Sequence, residues 1–250
     1  MKERERYLFD LQGFLLVEDA LSPQRVAALN GLLDEQIARR AEADMRTQRF
    51  GGPVSWGEHG RALVDNPRLA PYLTELLGPN HRLDHDYADV IRSGLGPIGA
   101  TLHGGATPFD PAQYFLFRDG RMHNGLTVVA YNLKDVHPGD GGFGCVPGSH
   151  KSNYPYPDEW RNLENPPPFV QAVTGPAGSA VIFTEALTHG TMPWRGLGER
   201  RTLFLKYCPR PVAWSRRGYP AEDPALTGSQ RRILASPGVY PPPDQEDARK

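Results

Sequence analysis

The chain is short of cysteine, has no long apolar run and carries almost no net charge, and each shortage removes a class of protein. Two cysteines in 250 residues, Cys145 and Cys208, cannot build a disulfide framework. A reduced, cytoplasmic setting is therefore expected, with both thiols as small buried side chains. No apolar stretch reaches the roughly 18 residues that a membrane helix needs. The opening Met1-Lys2-Glu3-Arg4-Glu5-Arg6 is charged and lacks the apolar core of a secretory signal. With 28 basic against 29 acidic residues there is no electrostatic footprint for a nucleic acid polymer. No βαβ alternation occurs, which disfavours a dinucleotide-binding sheet. Internal repeats are absent, and the residues carry no signal for an oligomeric state.

What is plentiful is turn chemistry. Glycine (27) and proline (25) are both well above average usage, pointing to many turns between short strands. At this length one domain over 1–250 is expected, with about 240–250 a frayed tail after Pro241-Pro242-Pro243. Phe9 to Val17 reads as a turn into a buried strand, bent at Gly13. Ser22-Pro23 opens a helix, serine as N-cap and proline at its first position. Val26, Leu29, Leu33 and Ile37 carry its apolar stripe to about residue 44. A second helix is predicted from Asn66-Pro67 to Leu77, stopped by Gly78-Pro79.

Beyond residue 82 short apolar segments alternate with turns, at 84–92, 97–103, 112–118, 126–133, 143–147, 169–173, 179–184 and 201–208. Asp119-Gly120 marks a hairpin. The fold class implied is mainly β: a double-stranded β-helix (a jelly-roll, cupin-like core) with flanking N-terminal α-helices. The segment after Pro209 is expected to wrap the outside.

One further absence bears on chemistry. Non-haem Fe(II) sites use two histidines and one carboxylate on one face, leaving other positions open. His103 and His189 are the candidate metal ligands. The carboxylate usually lies two residues after the first histidine, on the same strand face. Here that position is Gly105, and none of the eight histidines is followed two residues later by Asp or Glu. Asp110, Asp84 and Asp86 are alternative sources of the missing carboxylate. His123, in a second His-x-Gly, is the weaker candidate ligand.

Taken together, Gly13-Phe14-Leu15-Leu16-Val17, Leu133-Lys134-Asp135-Val136, the run Gly142 to Lys151 with its Pro-Gly-Ser-His-Lys, and His189-Gly190 … Arg200-Arg201 resemble the phytanoyl-CoA dioxygenase family of Fe(II)/2-oxoglutarate enzymes. The resemblance spans about residues 8–208. It implies Fe(II) on His103 and His189, and 2-oxoglutarate with its distal carboxylate on Arg200, eleven residues past His189. An arginine suits that task through its planar fork. Arg201 should face the other side of the strand. Members with Gly or Ala in place of the Asp resemble the halogenases of this chemistry, in which chloride fills the vacated site.

The expected activity is therefore chlorination of an unactivated carbon in a small metabolite of secondary metabolism or antibiotic biosynthesis, with molecular oxygen as co-reactant. Gly105 would leave room for the halide, and Asn124 is a candidate donor to chloride or the co-substrate. Trp194, Arg195 and Arg121 are candidate substrate contacts, which would suit a nucleotide or other phosphorylated precursor. Two rival readings are a hydroxylase on the same scaffold and a catalytically silent jelly-roll that only binds a ligand.

Overall fold

The computed structural model describes residues 1–40, 45–220 and 222–239. Among the described residues, four of the five α-helices lie in the N-terminal half, interspersed with the first three strands, and the later half completes the β-core. Helix α1 (Glu3–Gln12) precedes strand β1 (Phe14–Val17), and α2 (Pro23–Arg40) follows. The chain then forms β2 (Thr47–Gly51), α3 (Gly57–Arg61) and α4 (Ala70–Leu77) before entering β3 (Arg82–Arg92). Next come the hairpin β4 (Phe115–Arg118) and β5 (Arg121–Asn124), then β6 (Thr127–Asn132) and β7 (Gly142–Cys145). The core closes with β8 (Gln171–Ala172), β9 (Ala180–Thr184), β10 (His189–Met192) and β11 (Glu199–Cys208), and α5 (Gly228–Leu234) lies beyond it.

Six strands pair in the order β1-β9-β6-β11-β3-β2 and three more in the order β10-β7-β8. Every pairing among them is antiparallel, and the two sheets form the expected jelly-roll. Side-chain alternation divides the large sheet into two faces. On β6, Val129 and Tyr131 join the core under the helices, while Val128 and Ala130 turn toward the small sheet. On β11, Leu203, Leu205 and Tyr207 take the helix side and Phe204 the other. Leu29 and Leu33 of α2 are fully buried against the helix-side face, and each such leucine contributes about 1.5–3 kcal/mol by leaving water. The opposite face, between the sheets, is where side chains from β3, β9, β10 and β11 converge.

Several elements depart from the sequence expectation. The N-terminal piece is a helix up to Gln12, and Gly13 then turns the chain into β1 with φ 84°. It has no clear apolar stripe, because only Phe9 is buried; Glu5 instead accepts from the Lys2 N–H at 2.6 Å. Helix α2 starts where Ser22 accepts from the Arg25 N–H at 3.3 Å, and the expected extension to residue 44 lies outside the described residues. The second predicted helix begins later, at Ala70, because Asn66 takes the Arg68 N–H into a turn. Asp119-Gly120 does form a hairpin turn, with both φ positive, but β4 pairs with β5 rather than with the strand starting at Thr127.

Residues 97–103 are not a strand, apart from one bridge between His103 and His189. After Pro209 the chain runs beside β3 and then forms α5, whose Thr227 cap accepts from the Gln230 N–H at 3.1 Å. The frayed tail expected at 240–250 lies outside the described residues. Among the described residues no helix is long and apolar enough to cross a membrane.

Candidate metal centre

His103 and His189 face each other across the bridge that joins the irregular 97–103 segment to β10. Each backbone N–H donates to the other's carbonyl at 2.8 Å, and the ring centroids are 4.2 Å apart. Both rings are held the same way: His103 Nδ1 donates to Thr101 O and His189 Nδ1 to Leu187 O, each at 2.7 Å. A carbonyl on Nδ1 fixes the tautomer and leaves Nε2 free to bind a metal. Burial, with the charge of His103 second, pushes the His189 imidazole down to about 3, so it stays neutral as a ligand must. Phe183 packs edge-on against the ring at 4.8 Å, and Phe143 lies at 5.7 Å.

A carboxylate completes the group, and it is Glu185. One donor atom from each of His103, Glu185 and His189 lies within 4.8 Å of the others. Glu185 sits on the connection between β9 and β10, four positions before His189, with Oε2 at 4.0 Å from His189 Nε2. Its other oxygen, Oε1, accepts from Lys206 Nζ at 2.5 Å. Burial raises the carboxyl, but the charges of Lys206 and His189, the Lys206 hydrogen bond and His103 outweigh it and bring Glu185 down to about 2.

Local backbone explains why the acid reaches the imidazoles. Gly104 has φ 80°, and a Cβ there would lie 2.5 Å from Leu187 O and 2.8 Å from Glu185 O. Only a glycine lets the His103 segment press against the turn that bears Glu185. On the far side of that turn, Ser149 of the Pro-Gly-Ser-His element accepts from the Thr188 N–H at 2.8 Å. His150 secures this element to the end of α1, its Nε2 donating to Asp10 O at 3.0 Å.

The donors open into a cavity of about 230 Å³ between the sheets, lined also by Arg49, Tyr87, Asp89, Arg200, Phe204 and Trp214. Arg200 comes from β11 on the face that also carries Phe204 and Lys206. It is 4 % exposed, and its Nε has no partner, nor has the buried Thr202 Oγ1 on the same strand. Burial lowers the Arg200 guanidinium to about 10, so it remains charged at neutral pH. A buried arginine fork with unused donors needs an anion. Arg201, one residue on, faces the other way and pairs with Asp34 and Glu199, each at 2.7 Å.

The remaining expectations require correction. Gly105 does not border a vacancy that lacks a carboxylate, because Glu185 brings one from the other side of the bridge. Asn124 is buried in β5 with its amide toward Leu76 O at 3.5 Å, and Arg121 lies at the exposed hairpin end beside Phe117. Trp194 is buried behind the cavity against Ile91 and Val136, donating to Gly198 O at 3.2 Å. Arg195 borders a separate surface hollow with Pro193 and Met192. None of these four lines the cavity. The alternative acids are also occupied: Asp110 caps its own turn through the Ala112 N–H at 2.7 Å. Asp84 and Asp86 point to the opposite face of β3.

Trp214 also lines the cavity, and no motif in the sequence points to it. It is 52 % exposed and stacks on His85 with centroids 5.3 Å apart. Asp84 holds it there by accepting the Trp214 and Ser215 N–H groups at 3.0 Å each.

A jelly-roll that gathers two imidazoles, a carboxylate and an orphaned buried arginine around one cavity has the layout of a non-haem iron oxygenase. The chain belongs to the phytanoyl-CoA dioxygenase (PhyH) family, whose sequence pattern matches residues 9–202. Among curated proteins no sequence matches the chain. Among solved structures it is similar to HygX from Streptomyces hygroscopicus with nickel and 2-oxoglutarate bound, at 24% identity and TM-score 0.74, covering 85% of this chain and 89% of that one. HygX with nickel, 2-oxoglutarate and hygromycin B gives 22% identity and TM-score 0.72, covering 85% and 89%. The epimerase SnoN, in complex with Fe3+, alpha ketoglutarate and nogalamycin RO, gives 18% identity and TM-score 0.60, covering 84% of each chain.

Proposed function

We propose that this protein is an Fe(II)/2-oxoglutarate-dependent oxygenase that oxidises an unactivated C–H bond of a small metabolite, with hydroxylation favoured over chlorination. The observation that carries this reading is the convergence of His103, His189 and Glu185 on one point of a cavity that also holds the unpartnered Arg200. The donor set fits iron: two imidazoles and a carboxylate are the ligands of this chemistry. The two Nδ1 contacts orient the imidazoles, and Glu185 Oε2 supplies the third ligand. Arg200, with Thr202 Oγ1 beside it, takes the distal carboxylate of 2-oxoglutarate. Iron, 2-oxoglutarate and oxygen supply the oxidising power, the co-substrate leaving as succinate and carbon dioxide.

Chloride has weaker support, because a carboxylate already stands among the donors, in the place a halide would take. A phosphorylated substrate also loses its basis. Arg121, Arg195 and Trp194 lie away from the cavity, and Arg49 is held by Asp89. At about 230 Å³ the cavity is smaller than the roughly 300–1,000 Å³ usual for a whole ligand. We therefore expect the reacting end of a substrate to enter while the rest lies outward against Trp214. Substrates of the kind bound in the HygX and SnoN structures, both antibiotics, would suit that arrangement. Both cysteines are buried and unpaired, in keeping with a reducing cytoplasm.

The test is aerobic incubation with Fe(II), 2-oxoglutarate, isotopically heavy oxygen and a panel of antibiotic precursors, in chloride or in bromide. Succinate formation and a product gaining one heavy oxygen atom in both salts are expected. A product mass that follows the halide would overturn hydroxylation, and absence of Fe(II)-dependent succinate would overturn the oxygenase itself.

A further inference from the structure

Three cations line the cavity among the described residues. Arg200 is assigned to the co-substrate, and Arg49 is held by both oxygens of Asp89, at 2.8 and 3.0 Å. Lys206 has neither role. It is 9 % exposed, its Nζ lies 5.7 Å from the centre of the Tyr87 ring, and its ion pair is with Glu185. Strand alternation puts it on the cavity face of β11, so its place follows from the strand's own geometry.

That contact has two effects on the donor set. One Glu185 oxygen is taken by the ammonium, so Oε2 alone is turned toward the imidazoles. The charge of the acid is also cancelled. The carboxylate and the ammonium sum to zero (−1 + 1), where the carboxylate without the lysine would carry a negative charge. A divalent cation entering a cavity walled by protein is attracted chiefly by net negative charge, and charges act more strongly there than in bulk water.

Resting on the reading of His103, His189 and Glu185 as metal ligands, we propose that Lys206 is a positioning residue that weakens the hold of the site on a bare divalent cation and makes firm retention depend on 2-oxoglutarate. The two carboxylates of the co-substrate bring the negative charge that the protein withholds, one of them to Arg200. By linkage, the metal must tighten 2-oxoglutarate by the same factor as 2-oxoglutarate tightens the metal. The cavity thereby favours being empty or doubly loaded over holding a lone redox-active ion.

Calorimetric titration with Ni(II), the metal bound in the HygX structures, tests this in the full-length protein. In the wild type, saturating 2-oxoglutarate should tighten Ni(II) by at least about tenfold. Lys206→Gln and Lys206→Met should each bind Ni(II) alone at least about tenfold more tightly than wild type, with the effect of 2-oxoglutarate shrinking to match. Lys206→Arg should behave like wild type. Neutral variants that bind Ni(II) no more tightly than wild type would overturn the proposal. Should those variants fail to fold, a wild-type Ni(II) affinity indifferent to 2-oxoglutarate would overturn it alone. Glu185→Ala separates the two inferences: unchanged Ni(II) affinity there removes Glu185 as a ligand. A loss there with unchanged Lys206 variants removes only the role of the lysine.

Discussion

Glu185 divides its two oxygens between partners of different kinds, Oε1 bonded to Lys206 Nζ at 2.5 Å and Oε2 facing His189 Nε2 at 4.0 Å. Glu185→Gln keeps the shape and removes the charge. Iron-dependent conversion of 2-oxoglutarate to succinate should fall in this variant by more than about tenfold, since even outer partners of metal ligands cost 10–100-fold. A succinate assay at saturating Fe(II) measures this; full activity would mean the acid is not a ligand.

Gly105→Asp would seem to restore the usual ligand spacing, yet the backbone resists it. Gly105 has φ 99°, and a Cβ there lies 3.1 Å from Thr188 Oγ1. A side chain in that conformation costs about 1–3 kcal/mol. A thermal melt should show a loss of several degrees, with no gain in Ni(II) affinity because Glu185 already holds the place. Tighter metal binding at unchanged Tm would show that Gly105 borders an open coordination position.

Arg200→Lys keeps a positive charge and loses the planar fork. Affinity for 2-oxoglutarate should drop by about tenfold or more, because a point charge replaces paired N–H donors. Ni(II) binding without co-substrate should stay within about twofold, since the positive charge is retained and Arg200 is not among the metal-facing donors. Calorimetry with each ligand separately distinguishes these outcomes.

Asp84 is fully buried and accepts from Arg82, His85 and the backbone of Trp214 and Ser215. Asp84→Ala leaves the Arg82 charge unpaired, which typically costs about 3–5 kcal/mol. Residues 212–217 should become the first site of proteolytic nicking, and quenching of Trp214 fluorescence by acrylamide should rise. Trp214→Phe in the same background identifies the signal, and unaltered quenching would mean that other contacts hold the segment.

His150 supplies a pH dependence away from the metal site. Burial, with nearby Lys151 second, pushes its imidazole from 6.5 down to about 4. The unfolded chain therefore binds the proton first, so stability is full above pH 6.5 and is lost as pH falls toward about 4. At about 1.4 kcal/mol per pH unit, the loss from this residue approaches 3 kcal/mol. His150→Gln keeps the donor to Asp10 O and should remove that part of the acid sensitivity in denaturant melts between pH 7 and pH 4. Identical slopes in variant and wild type would refute the assignment.

The β-core and the two facing histidines are legible in the sequence because each leaves a local mark, alternation for strands and a His-Gly pair for each imidazole. Arg200 is legible for a similar reason, as one of a pair of arginines whose alternation puts Arg201 outside. Glu185 leaves no such mark. It lies on a connection, in the opposite chain direction from the usual ligand, and reaches His103 only because Gly104 lets two backbones touch. Trp214 is equally silent, since its position depends on Asp84, which reads as part of a polar run and is in fact a buried acceptor. Trp194 misleads for the converse reason: closeness to His189 in sequence places it behind the cavity wall rather than inside.

The Nδ1 clamps on the two imidazoles have a consequence for loading. Since Thr101 and Leu187 carbonyls already hold both rings in one tautomer, an arriving cation meets a receptor that needs no rotamer search and no proton shuffle. Capture speed is then governed by how fast an ion sheds its hydration water, a property of the metal rather than of the polypeptide.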